Sequence, residues 1–178
     1  TLITVGKYTA RAPATPTTGP TTSTTTSGSS SGPGLATVTC SYKTNPDFVS
    51  QTLALINNAR TANGLPALTL NDQLSEAAQS HSADMACNGF LSHTGWNGST
   101  VASRIAAAGY TSSFQVENIY AQPPQYGGTP QSAMDWWMGD PIHRDAVLNA
   151  DATEVGIGYS YYANSPLGGY FAIDFAAP

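Results

Sequence analysis

At 178 residues the chain has room for one domain and an appendage, and a hydrophobic fraction of 40% is enough for a packed core. Charged residues make up only 10%, and from Cys40 onward four basic residues face 11 acids, a balance of −7. Such a surface argues against nucleic acid and anionic lipid headgroups as main partners, because both reward basic charge. It leaves cations, neutral ligands, glycans and the chain's own basic arm, which carries Lys7 and Arg11.

Residues 1–9, TLITVGKYT, have the Leu, Ile, Val, Tyr and Thr content of one short strand. A lone strand cannot bury itself, so it pairs with an edge of its own domain, adds to a second copy, or stays loose. Residues 10–39 form a linker in which every position from Thr15 to Gly34 is Ser, Thr, Pro or Gly, an extended stalk suited to O-glycosylation. Its GSSSG run centred on Ser30 is formally a nucleophile elbow, but no strand precedes it and no helix follows, so the match is accidental. No apolar run approaches the roughly 20 residues of a membrane-spanning helix. The sequence shows neither a starting Met nor a basic-then-apolar leader, which reads as an exported chain whose signal is gone.

The folded domain is expected over residues 40–178. Cys40 and Cys87 are either two buried thiols or one disulfide closing a 47-residue interval. In the chain-entropy model the disulfide contributes about 4 kcal/mol. The neighbouring Ser/Thr/Pro arm favours the disulfide and an oxidising compartment. Asn45-Pro46-Asp47 is a helix start, and Phe48, Val49, Leu53, Ile56 and Ala59 form its apolar stripe until Gly64-Leu65-Pro66. Asn71 caps a second helix in which Leu74, Ala77, Ala78, His81 and Met85 recur at three- and four-residue steps until Gly89. His81 therefore faces the core as a hydrogen-bonded structural histidine.

The loop GFLSHTGWNGST carries His93 and the sequon Asn97-Gly98-Ser99, so Asn97 is a candidate glycosylation site. A short helix from about Thr100 to Ala108 follows. Phe114 to Ala121 then reads as a strand with Gln115, Glu117 and Ile119 on one face and Val116, Asn118 and Tyr120 on the other. After a loop over 123–128, Thr129-Pro130 opens a fourth helix, Gln131 to Met138, and Asp140-Pro141 opens a short fifth containing His143. Two strands close the chain, the first alternating Val155, Ile157, Tyr159 and Tyr161, the second Phe171, Ile173 and Phe175. Helices that precede and interrupt an antiparallel sheet make the fold class α+β.

His93, Glu117 and His143 are the candidate chemistry, since two histidines and a glutamate can form a divalent-metal shell or an acid/base set. They are 24 and 26 residues apart, so only a fold can join them. The run from INNARTANGLP to GFLSHTG, followed by VENIY, WWMGDPIHRD, EVGIGYSYY and GGYFAIDFAAP, resembles the CAP superfamily of cysteine-rich secretory proteins, antigen 5 and pathogenesis-related 1, in its compact microbial SCP-like branch. The similarity covers about residues 46–178. It implies an α-β-α sandwich, secretion, and a solvent-open cleft with two histidines and two acids, of which His93, Glu117 and His143 match the family pattern residue by residue. The second acid departs from it: Asp140 is the nearest, and its D-P step marks it as a helix cap.

The expectation is a secreted, non-enzymatic domain whose His/Glu/His cleft takes Zn²⁺ or another divalent cation weakly, with Glu117 as third ligand or as the orienter of a histidine. Three other readings stay open. A metal-bound water with Glu117 as base would make a hydrolase, although Ser92 beside His93 is a poor nucleophile and there is no H-E-x-x-H. The resemblance also allows sterol or lipid carriage, although Trp136 and Trp137 read as core at their spacing. Residues 1–9 on their stalk would instead allow strand addition between copies, building a fibre or surface coat.

Overall fold

The computed structural model describes residues 34–178. The expected strand over 1–9 and nearly all of the 10–39 linker lie outside the described residues. Five helices, four strands and a 3-10 turn follow in order: α1 (Pro46–Ala62), β1 (Thr69–Leu70), α2 (Asp72–Asn88), α3 (Val101–Ala107), β2 (Phe114–Ala121), the turn at Pro124–Tyr126, α4 (Pro130–Gly139), α5 (Pro141–Val147), β3 (Glu154–Tyr161) and β4 (Gly169–Ala177).

Caps set the helix starts. Asn45, Asn71, Thr100, Thr129 and Asp140 each accept backbone N–H groups from the first turn they precede, which satisfies donors a helix start leaves orphaned. Gly89 ends α2 at φ 68°, a left-handed conformation that costs glycine least.

The sheet order is β1-β3-β4-β2, antiparallel across β3, β4 and β2, with two-residue β1 added in parallel to β3. That parallel pair is an addition to the expected sheet. Two residues carry no alternation, so nothing in Thr69-Leu70 announces a strand. The 3-10 turn in the expected 123–128 loop escapes notice for the same reason.

Helices cover both faces, giving the expected three layers. Val155, Ile157, Phe171, Ile173 and Phe175 form one side's core with Ile56, Trp137 and Val147 of α1, α4 and α5. On the other side Leu74, Ala77, Ala78 and Met85 of α2, all fully buried, lie against small residues of the sheet. A Cβ at Gly156 would sit 2.1 Å from the Leu74 carbonyl carbon, and one at Gly158 2.4 Å from that of Ala78. The α2 backbone therefore touches the sheet itself, and β2 is left as the free edge strand.

Cys40 and Cys87 are joined as a disulfide, which ties the segment entering the domain to the last turn of α2. Lys43 and Tyr161 bridge that segment to the outer edge of β3.

Candidate functional site

Successive residues of a strand point to opposite faces, and β2 uses this at Glu117 and Asn118. Glu117 turns toward α2 and α3; Asn118 turns toward α5. Glu117 Oε1 accepts from His93 Nδ1–H at 2.7 Å, and its Oε2 accepts from Arg104 at 2.8 Å. Asn118 Nδ2 donates to the His143 carbonyl at 2.9 Å. The two histidine-bearing segments are thus tethered from opposite sides of one edge strand.

The His93 segment is held by more than Glu117. Arg104, fully buried on α3, donates two N–H groups to the His93 carbonyl at 3.1 Å each and one to the Ser99 carbonyl at 3.1 Å. Asp84 accepts from Trp96 N–H at 2.8 Å, and His81 Nε2 donates to the Ser92 carbonyl at 2.8 Å. These bonds satisfy loop carbonyls and amides that burial would otherwise leave unpaired. With its backbone fixed, the His93 side chain remains 52% exposed.

His143 is set by α5. Asp140 Oδ1 accepts from Ile142 N–H and from His143 Nδ1–H, each at 3.0 Å. Asp140 therefore caps the helix and orients the imidazole together, where its D-P step had marked it for capping alone. The His143 hydrogen bond leads the causes that hold the Asp140 carboxyl below its usual range. Trp136 packs on His143 with ring centroids 4.4 Å apart. It is 41% exposed, unlike fully buried Trp137, so only one of the two tryptophans expected in the core is there.

Behind Glu117 lies a buried ionisable cluster. Burial would raise the Glu117 carboxyl, but the His93 hydrogen bond and the attraction of its basic neighbours His81 and Arg104 outweigh it and hold the carboxyl low. Asp174 sits directly across the ladder from Glu117 on β4 and is fully buried. Burial first, and the Glu117 charge second, push the Asp174 carboxyl well above its ordinary value. Neither of its oxygens meets a well-aligned donor among the described residues. Two carboxylates side by side in a dry site repel, so one charge and one neutral acid is the arrangement electrostatics favours. Burial likewise lowers His81 to about 4, which makes it neutral at ordinary pH. His81 is the buried structural histidine its helix position predicts.

Of the predicted set, Glu117 joins His93 and not the two histidines at once. Both of its oxygens are engaged, Oε1 by His93 and Oε2 by Arg104. Among the described residues no three His, Cys, Asp or Glu side chains converge into a metal-holding group. What the two histidines share is a pattern: each sets Nδ1 against a carboxylate oxygen, an arrangement in which a neutral ring carries its lone pair on Nε2. Ser92 Oγ accepts from Thr94 N–H at 3.1 Å and bonds no imidazole among the described residues. Asn97 is exposed, its Oδ1 accepting from Ser99 N–H at 3.0 Å, while Ser99 itself is buried.

Arg104, Asp174 and Asp84 were absent from the sequence-level candidates. Their signal is a lone charge in an apolar element: Arg104 in VASRIAAAG and Asp174 in YFAIDFAAP. A buried charge of either sign demands a partner.

Comparison with known proteins places these residues in a family. A sequence model of the cysteine-rich secretory protein family, CAP, matches residues 53–175. The chain is 30% identical over 120 residues to the uncharacterised membrane protein YlbC of Bacillus subtilis, covering 65% of this chain and 33% of that protein. It is 27% identical over 131 residues to the uncharacterised protein YkwD of the same organism, covering 71% and 49%. The chain thus spans half or less of the length of these two relatives. Among solved structures, an extracellular SCP-domain protein of Bacillus anthracis superposes with a TM-score of 0.64 at 26% identity, covering 72% of this chain and 40% of that one. An outer surface protein of Borrelia burgdorferi superposes with a TM-score of 0.66 at 18% identity, covering 75% and 96%, a likeness of fold alone.

Proposed function

The chain belongs to the cysteine-rich secretory protein (CAP) family, and on that premise we propose that residues 40–178 are an extracellular, non-catalytic binding domain whose His93 and His143 present Nε2 donors to a divalent cation such as Zn²⁺. The observation that carries the reading is the shared pattern of carboxylate, Nδ1–H and free Nε2. A carboxylate on Nδ1 fixes the tautomer, orients the ring and makes Nε2 a better electron-pair donor, which is how metal-binding histidines are commonly supported. Glu117 and Asp140 supply that support here.

Two imidazoles without a third protein donor suit a weak, solvent-completed site rather than a closed structural one. The cation would supply positive charge toward which an anionic or carbonyl group of a ligand could turn. The protein's part is to hold the rings, keep Nδ1 protonated and leave the Nε2 side open to solvent. The non-catalytic reading is supported by Ser92, whose hydroxyl bonds a backbone amide, and by Glu117, whose charge is committed to Arg104 and His93.

Export is supported by the Cys40–Cys87 disulfide, which persists in oxidising compartments, and by the extracellular description of the Bacillus anthracis relative. No helix among the described residues is long and apolar enough to cross a membrane.

Calorimetric titration of Zn²⁺ into the full chain tests the site. Binding in the wild type should fall about tenfold or more in both His93→Ala and His143→Ala, and more mildly in Asp140→Asn, which weakens only the support. Heats unchanged in both histidine variants would remove the proposal.

A further inference from the structure

Burial sorts the charges of residues 40–178 unevenly. Of the four basic residues, Arg60 and Arg104 are fully buried, whereas of the 11 acids only Asp84, Glu117 and Asp174 are buried. Outside the core, eight carboxylates therefore face Lys43 and Arg144 alone. A surface of that sign draws in cationic partners and repels anionic ones.

One place on that surface adds shape to the charge. Trp136 projects from α4 and is 41% exposed. Its ring is held against Tyr120 and His143, with centroids 6.1 and 4.4 Å away, so the exposed part stands in a fixed orientation. Asp140 holds the same imidazole from another side, through Oδ1. The Asp140 side chain stays 43% exposed, and among the described residues no lysine or arginine pairs with it, not even Arg144 one turn along α5. Ile142, beside His143 in sequence, leaves 80% of its surface in water. Trp96, the other exposed tryptophan, has no such company: the acid bonded to it, Asp84, is buried and gives its oxygens to Trp96 N–H and Asn88.

A rigid aromatic face, an unpaired carboxylate and an exposed aliphatic side chain grouped about one imidazole match the parts of an arginine side chain. The planar guanidinium stacks on an aromatic ring and pairs with a carboxylate, and its methylene stem lies along apolar surface. A lipid surface would need a broader apolar face, and anionic headgroups would meet the eight carboxylates. We propose that Trp136, Asp140 and Ile142 dock an arginine of a basic polypeptide, which the anionic surface steers toward them. Neither Trp136 nor Asp140 would ligate a cation on His143 Nε2, so the docking stands without one.

Nuclear magnetic resonance on the full chain, in a buffer containing a metal chelator, tests this with the capped peptide Gly-Arg-Gly-Arg-Gly. The same peptide with citrulline in place of arginine keeps the shape and removes the charge. The Trp136 indole N–H and the amides of Ile142 and His143 should shift with the arginine peptide. The Trp96 indole should not move, and that of buried Trp137 reports an intact core. Citrulline in the peptide, Trp136→Leu or Asp140→Asn in the protein should each weaken binding about threefold or more. Asparagine still caps a helix, so Asp140→Asn removes the charge and keeps the helix start. If Trp136→Leu disturbs the Trp137 signal, Asp140→Asn decides. No shift at Trp136, equal binding of the citrulline peptide, or binding that survives either substitution in a folded domain overturns the proposal. Shifts at Trp136 with chitotetraose and none with the arginine peptide would give the face to a neutral sugar and overturn it as well.

Discussion

His81 and Asp174 carry opposite pH signatures although both are buried beside the same glutamate. The unfolded chain protonates His81 as pH falls through about 6.5, whereas the native state resists until about 4. Protons therefore favour the unfolded state across that window, so the stability His81 contributes is complete above it and lost as pH falls through it. Asp174 acts the other way: the unfolded chain ionises it from about 3.8 upward while the native state keeps the proton, so its contribution falls as pH rises above that value. His81→Gln removes the first effect. Urea unfolding between pH 4 and 6.5 should lose up to about one proton's worth of slope relative to the wild type, and an unchanged slope would mean that His81 is charged in the native state. The sequence made His81 legible because its helix phase puts it in the core. It left Arg104 and Asp174 unread, since one lone charge does not name the charge it will meet 13 residues away, as Arg104 meets Glu117, or a third of the chain away, as Asp174 does.

Among the elements, α2 on the sheet is where local sequence and packing agree most closely. The stripe from Leu74 to Met85 reads directly as a buried helix face, and the alternation of Val155, Ile157 and Tyr159 reads directly as a strand. The glycines between them, Gly156 and Gly158, look like neutral spacers until the helix is laid on them. Gly158→Ala would drive a Cβ into the Ala78 backbone, which has no rotamer by which to yield. Overpacking of this kind costs about 3 kcal/mol or somewhat more, and thermal unfolding should show it as a clear drop in Tm. A neutral result would mean that α2 has room to lift from the sheet. The helix starts were legible because Asn-Pro-Asp, Thr-Pro and Asp-Pro are capping chemistry confined to a few residues. The exposed Trp136 was not: α4 turns one tryptophan to the core and its neighbour to His143, and adjacency in sequence hides which is which.

Across the whole molecule, the family resemblance in the sequence brought the layered architecture into view, and spacing alone could not have joined positions 24 and 26 residues apart. What remained out of reach was the assembly of the site, because Glu117 is divided between His93 and Arg104 by a geometry that exists only once β2 and α3 are packed. The Cys40–Cys87 link works at the same scale. Replacing both cysteines by serine opens a 47-residue loop and should cost about 4 kcal/mol in denaturant unfolding; a loss below about 1 kcal/mol would mean that the reduced, unfolded chain is already compact there.

The same link decides where a mechanical load would travel. A pull on the arm would first part the Leu35 carbonyl from Asn97 Nδ2 and Ala36 N–H from Ser80 Oγ and then arrive at Cys40, three residues before the Lys43–Tyr161 bridge. From Cys40 the tension has a covalent route into the last turn of α2, the helix seated on the middle of the sheet, so the bridge to β3 is bypassed. Strand β2 and its two histidine tethers lie off that route. A domain held under tension by its stalk would therefore keep its candidate site unstrained for as long as the sulfur bridge is intact.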